Sequence, residues 1–202
     1  MKISDDFLAT LSTESEGAVT DPPYLRPNKI EFGSPAVFAL LVEDPLEYWL
    51  VWGTPKEGGN NKPFRFLQMP SDEEIELEMG RDFTRALNFE KTEIDKVYRC
   101  LTWPVYNWSK NRVEVFEITQ ISISRQIVGY ALEKAYAKNI LDWDFKLKRE
   151  KVGIKTVYDL KILPRDEDEH DDAQMVVDWK IAKKAGFDLN RLITGEDPFK
   201  ED

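Results

Sequence analysis

The chain has a single cysteine, Cys100, and a single histidine, His170, among 202 residues. A disulfide within the chain is therefore excluded, and so is a zinc site built from Cys and His. A Cys–His nucleophilic pair is formally available. However, His170 sits in "RDEDEHDDAQ", an acidic run expected to be solvated, while Cys100 lies on a strand pattern. No apolar run approaches the roughly 18 residues that read as a membrane span. The first 18 residues hold one lysine, several acids and Ser/Thr, not the basic start and apolar centre of a secretory signal. A cytoplasmic protein is expected. The phosphate-loop, dinucleotide, zinc-protease and nucleophile-elbow signatures are missing as well.

Hydrophobic residues make up 42 %, which supplies a sizeable core. The net charge of −10 is unevenly spread. From Lys91 to Lys161 there are 14 bases against 9 acids, a net of +5. From Pro164 to Asp202 there are 12 acids against 6 bases, a net of −6. A basic middle with an acidic end is compatible with a polyanion partner that the whole-chain charge hides. Ordinary solubilising charge explains the same asymmetry.

Residues 1–28 are rich in Ser, Thr, Glu and Pro and read as a flexible N-terminal arm. Strand patterns follow at 35–43, 46–52 and 62–69, with the loop "GTPKEGGNNKP" before the last. Alternation places Phe64 and Phe66 on one face of that strand and Arg65 on the other. In 70–88, Ser71 with Glu74 forms a capping box for one or two short helices, broken at Gly80. Residues 96–107 predict a long strand, with Arg99, Leu101, Trp103 and Val105 on one face and Tyr98, Cys100, Thr102 and Tyr106 on the other. Pro104 lacks a ladder donor, which predicts an edge or a bulge there. "NWSKN" makes a turn into the strand "RVEVFEIT", and an amphipathic helix follows, with Thr119 as its N-cap. Residues 143–150 and 156–163 predict a hairpin with Trp143, Phe145, Leu147, Tyr158, Leu160 and Ile162 inward and lysines outward. A short helix is expected over 173–187, inside an acidic C-terminal region spanning 164–202.

Two strings, "WPVYNWSKNRVEVFEITQISISRQI" and "WDFKLKREKVGIKTVYDLKIL", together resemble the single-stranded DNA-binding, helix-destabilising proteins of tailed bacteriophages. The matching positions are Val105–Asn107, Arg112–Ile118, Ile118–Ile123, Asp144–Arg149 and Tyr158–Leu160, within roughly residues 96–163. The resemblance implies an α+β, β-rich fold built on an oligonucleotide/oligosaccharide-binding (OB) barrel of five strands. It implies coating of single strands in phage DNA replication, recombination and repair, in the host cytoplasm, with an acidic tail that contacts replication or recombination proteins. Two departures matter. T4-type members hold a core zinc with Cys and His, which this chain cannot do. The turn glycine of the hairpin is displaced here to Gly153.

Single-strand binders combine a cationic groove that follows the phosphates with aromatic faces on which bases stack, each base worth about 1–3 kcal/mol. Trp103, Tyr106 and Trp108, interleaved with Lys110 and Arg112, fit that need, as do Arg65, Arg99, Lys146, Lys148 and Lys161. Trp103 on a strand is by type more often a core residue than a platform, Trp108 at a polar turn is the better exposed candidate, and each lysine alone is more often a solvated charge; the interleaving makes the case. In the tail, Leu192 and Phe199 are candidate anchors for a partner protein, and the anionic segment can compete with DNA for a basic groove. No cofactor, metal, membrane or catalytic residue is expected. The strand is DNA, with RNA as the alternative. Two rivals stand: a module that binds a polymerase or RNA polymerase, and a Mg²⁺ nuclease using Asp142, Asp144 and Asp159.

Overall fold

The computed structural model describes residues 23–166 and 168–200. Most of the expected arm lies outside these residues. Its last part is tied down: β1 (Tyr24–Leu25) pairs parallel with the strand carrying Val115 and Phe116, and a 3-10 turn follows over Pro27–Lys29.

The remaining strands are β2 (Ala36–Leu40), β3 (Leu46–Pro55), β4 (Lys62–Phe66), β5 (Phe83–Arg85), β6 (Tyr98–Asn107), β7 (Arg112–Ile118), β8 (Trp143–Val152) and β9 (Lys155–Pro164). The helices are α1 (Asp72–Met79), α2 (Ile121–Leu132), α3 (Asp172–Lys184) and α4 (Arg191–Thr194). One mixed sheet runs β1-β7-β6-β2-β8-β9, with β3 branching from β6 and carrying β4 and β5. The protein is thus α+β and β-rich, and among the described residues the sheet does not close on itself.

Where closure fails, α2 supplies the missing partners. Gln126 accepts from the Leu160 amide at 2.9 Å and donates to the Tyr158 carbonyl, and Tyr130 donates to the Leu160 carbonyl. Side chains of a helix thereby occupy the middle of the β9 edge, where another strand would otherwise pair. α2 also closes the main core. Ile123 and Ile127 pack on Phe38, Phe116, Phe145, Leu147 and Leu160, with Phe38 between Phe116 and Phe145 at ring distances of 4.7 and 5.7 Å.

Several sequence expectations are refined. Ser71 and Glu74 do form a capping box on α1, and Gly80 ends it, but the second half of 70–88 becomes β5. α2 has Gln120, not Thr119, before its first turn, and it stops at Leu132. The chain then turns so that Tyr136 packs edge-on against Tyr130 and Trp143. Pro104 lies in a central strand, not an edge. β6 pairs with β3 through Thr102 and with β2 from Val105 on. The proline falls where the partner changes, so its missing N–H interrupts no ladder. The displaced Gly153 has φ of +62° at the first position of the two-residue β8–β9 turn, the place a type II′ hairpin reserves for glycine.

Candidate nucleic-acid interface

Alternation along β6 holds as the sequence predicts, but both faces are buried. Leu101, Trp103 and Val105 enter the core under α2. Tyr106 faces the other way and, with Trp108, Val113 and Ala39, meets Met175, Trp179 and Ala182 of α3 and the ring of Phe199. Trp103, Tyr106 and Trp108 retain 4, 1 and 8 % of their exposure. The expected solvent-facing platform of three rings is therefore not formed. Trp103 is a core residue because its face is the one α2 closes, and the other two lie beneath the C-terminal segment.

That segment is fastened by charged hydrogen bonds. The Tyr106 hydroxyl donates to Asp178 at 2.9 Å. Trp108 Nε1 donates to Asp144 at 2.9 Å. Asp144 also takes Arg165 Nε at 3.1 Å and His170 Nδ1 at 2.7 Å. The His170 ring lies parallel to Trp108, 4.4 Å away. His170 is thus an enclosed stacking partner, not the solvated residue its acidic neighbours suggest. It shares no cluster with Cys100, which packs on Tyr48 and Leu50. Burial first, and the Asp178 carboxylate second, push the Tyr106 hydroxyl up to about 12.

A second buried group lies further along the same face. Arg65 pairs with Glu117 at 3.0 Å, Tyr48 donates to Glu117, and Thr102 donates to Tyr48 at 3.1 Å. Arg65 also donates to the Leu192 carbonyl at 3.4 Å. Burial, reinforced by Glu117, pushes both the Tyr48 hydroxyl and the Cys100 thiol up, so both stay protonated at neutral pH. Leu192 is buried and Phe199 packs on Phe187. The two expected partner anchors therefore serve this chain itself.

The other expected contacts are scattered. Glu114, fully enclosed, binds Asn107 at 2.8 Å, Arg112 at 2.6 Å and Lys110 at 3.2 Å. Arg99 pairs with Glu47 at 2.5 Å on the α2 side of the sheet. Lys148 pairs with Glu150, and Lys161 with Asp159 at 3.7 Å. Lys146 is half-buried beside Asp144, Arg165 and His170. Asp144 stands opposite Leu163 and Asp159 opposite Lys148. The two acids do not approach across the hairpin as the nuclease reading needs.

One open cationic hollow went unnoticed in the sequence. A cleft of about 510 Å³ beside the β6–β7 turn is lined by Tyr24, Arg26, Lys29, Asn107 and Lys110, among others. Arg26 lies over the Tyr24 ring at 5.1 Å. The signal was the aromatic and two cations of "YLRPNK", hidden by the prolines that mark a linker. The same turn carries Lys110 into this cleft and Trp108 under α3. No helix among the described residues is long and apolar enough to cross a membrane. Comparison with protein families, curated proteins and solved structures gives no match to this chain.

Proposed function

We propose that this protein binds single-stranded nucleic acid, DNA in the first place, without sequence selection and without catalysis, on the outer face of β6 and β7. In the free protein the C-terminal segment occupies that face. The order β7-β6-β2-β8-β9, with α2 between β7 and β8, fits an OB barrel opened between its third and fifth strands. Such barrels bind oligonucleotides on the face of their second and third strands, which are β6 and β7 in this reading. The observation that carries the proposal is the cover itself: a segment whose described residues hold nine acids against six bases lies across Tyr106 and Trp108 and meets Tyr106 through Asp178. A polyanion is the ligand for which an acidic cover is a competitor. The resemblance to phage helix-destabilising proteins supports a role in replication, recombination and repair, with the displaced segment free to recruit proteins.

The test is titration of labelled oligo-dT at several salt concentrations, using the full chain and a Trp179→Ala/Asp178→Ala variant that loosens the cover. Binding by both, tighter in the variant by about tenfold and falling steeply with salt, supports the proposal. Mg²⁺-dependent cleavage would favour the nuclease. A second reading, a module that binds a polymerase or RNA polymerase, is favoured by one observation: Arg65, Arg99, Lys110, Arg112, Lys148 and Lys161 already face carboxylates. Absence of binding by either protein, even at low salt, decides for that module.

A further inference from the structure

The outer half of the β8–β9 hairpin serves neither the core nor the covered face. β2 accompanies β8 only as far as Leu147, whereas β8 and β9 stay paired out to Val152 and Lys155. Five residues beyond the last β2 contact extend the ribbon by roughly 17 Å at the usual rise of a strand. Its base is braced. Arg149 donates to the carbonyls of Asn28 at 2.7 Å and Ile30 at 3.1 Å. The Phe32 ring lies beneath Arg149 at 4.2 Å and Lys151 at 5.3 Å.

The tip is apolar where a surface turn is ordinarily polar. Ile154, at the second turn position, is 100 % exposed, Val152 is 62 % exposed, and Val157 is exposed beside them. Gly-Asn, Gly-Asp or Gly-Ser is the common hairpin turn; Gly153-Ile154 instead presents a branched hydrocarbon to water. Around it the charge is predominantly positive. Residues 146–161 hold six bases and two acids, a net of +4 in a chain of net −10. Lys151 and Lys155, which flank the tip, are both exposed.

We propose that this tip is a wedge that enters the base stack at a junction between single and double strand, with the flanking lysines on the phosphates. The inference rests on the nucleic-acid reading above and adds a substrate: the fork, not only the open strand. Small apolar side chains inserted between base steps unstack them in other architectures, and cations beside the wedge offset part of that cost. A lipid surface fits less well. One isoleucine and two valines bury less hydrocarbon than a single myristoyl chain, itself only a marginal anchor. One base step accommodates a wedge of this size.

The experiment places 2-aminopurine at the first base pair of a short duplex bearing an oligo-dT tail, with the full chain added to saturation. The wild type raises the fluorescence of that base. Ile154→Ser and Val152→Ser/Ile154→Ser, at fully or largely exposed positions that leave the fold intact, reduce the rise by about tenfold. Their oligo-dT affinity stays within about twofold, because phosphate contacts and stacking elsewhere carry it. Equal opening by wild type and variants, with oligo-dT bound, overturns the wedge and leaves the single-strand reading standing. Absence of oligo-dT binding by the wild type removes that reading and the wedge with it. Binding to phosphatidylserine vesicles that Ile154→Ser abolishes, with no junction opening, assigns the tip to lipid and overturns the wedge.

Discussion

The two faces of β6 are buried to the same degree by opposite means. The α2 side is closed with hydrocarbon by an element that follows β7 directly in the chain. Side-chain hydrogen bonds from β6 on that side include that of Trp103 Nε1 to the Glu43 carbonyl at 3.3 Å and, at the exposed rim, that of Arg99 to Glu47. The other side is closed by a segment that begins only after β9, where Met175, Trp179, Ala182 and Phe199 pack on the Tyr106 and Trp108 cluster and charged hydrogen bonds add to that packing, from Tyr106 to Asp178 and from Arg165 and His170 to Asp144. Apolar burial has no equally good alternative partner in water. A hydrogen bond to a carboxylate does, because the carboxylate is well solvated when released. One face is therefore built to stay shut, and the other can open at modest cost.

The largest effect is expected on the α2 side. Phe38→Ala removes a fully buried ring packed between Phe116 and Phe145, and it should lower the unfolding free energy by about 3–5 kcal/mol. Urea denaturation measures this. A loss near that of an exposed substitution would mean that α2 does not close the core and that the contrast between the faces is wrong. A smaller and local effect is expected across the sheet. Trp179→Ala removes a half-buried ring packed on the Tyr106 cluster and on Phe187. Limited proteolysis should then cut beyond Pro164 much faster, while the rest of the chain unfolds within about 1–2 kcal/mol of wild type. Loss of the whole fold in this variant would make the cover an integral layer.

This contrast also separates what could be read in the sequence from what could not. The alternation of β6, the hairpin with Lys146 and Lys161 opposite each other, the Ser71 capping box and the helix after β7 all follow from short-range rules, and each is present. Local pattern also gave the face of Trp103, though not whether that face was covered. Burial of Trp108 depends on His170, Arg165 and Asp144, which come from 36 to 62 positions further along the chain. No periodicity connects such residues. The acidic run around His170 misled for a related reason: composition averages over neighbours, and one ring among acids can still be the one that docks. Met175 and Trp179, four apart in the segment expected to be helical, were the available sign that α3 has a face to bury.

The subtlest test of the separable face uses pH. Tyr106→Phe deletes only the hydroxyl that donates to Asp178, a loss of about 1–2 kcal/mol at neutral pH for a bond to a charged acceptor. The hydroxyl titrates at about 12 in the folded protein, owing first to burial and then to Asp178, against about 10 in an unfolded chain. A folded value above the unfolded one favours the protonated form. Its contribution is therefore complete below pH 10 and fades between 10 and 12, as the unfolded chain sheds its proton first. The Phe variant has no proton to lose at that position, and the other tyrosines titrate alike in both proteins. The difference in stability between wild type and Tyr106→Phe should thus be constant from pH 7 to 9 and shrink at pH 11. A difference that stays constant to pH 11 would mean that the hydroxyl is neither buried nor held by Asp178 in solution, so that the segment does not lie on Tyr106 and this face of β6 is open.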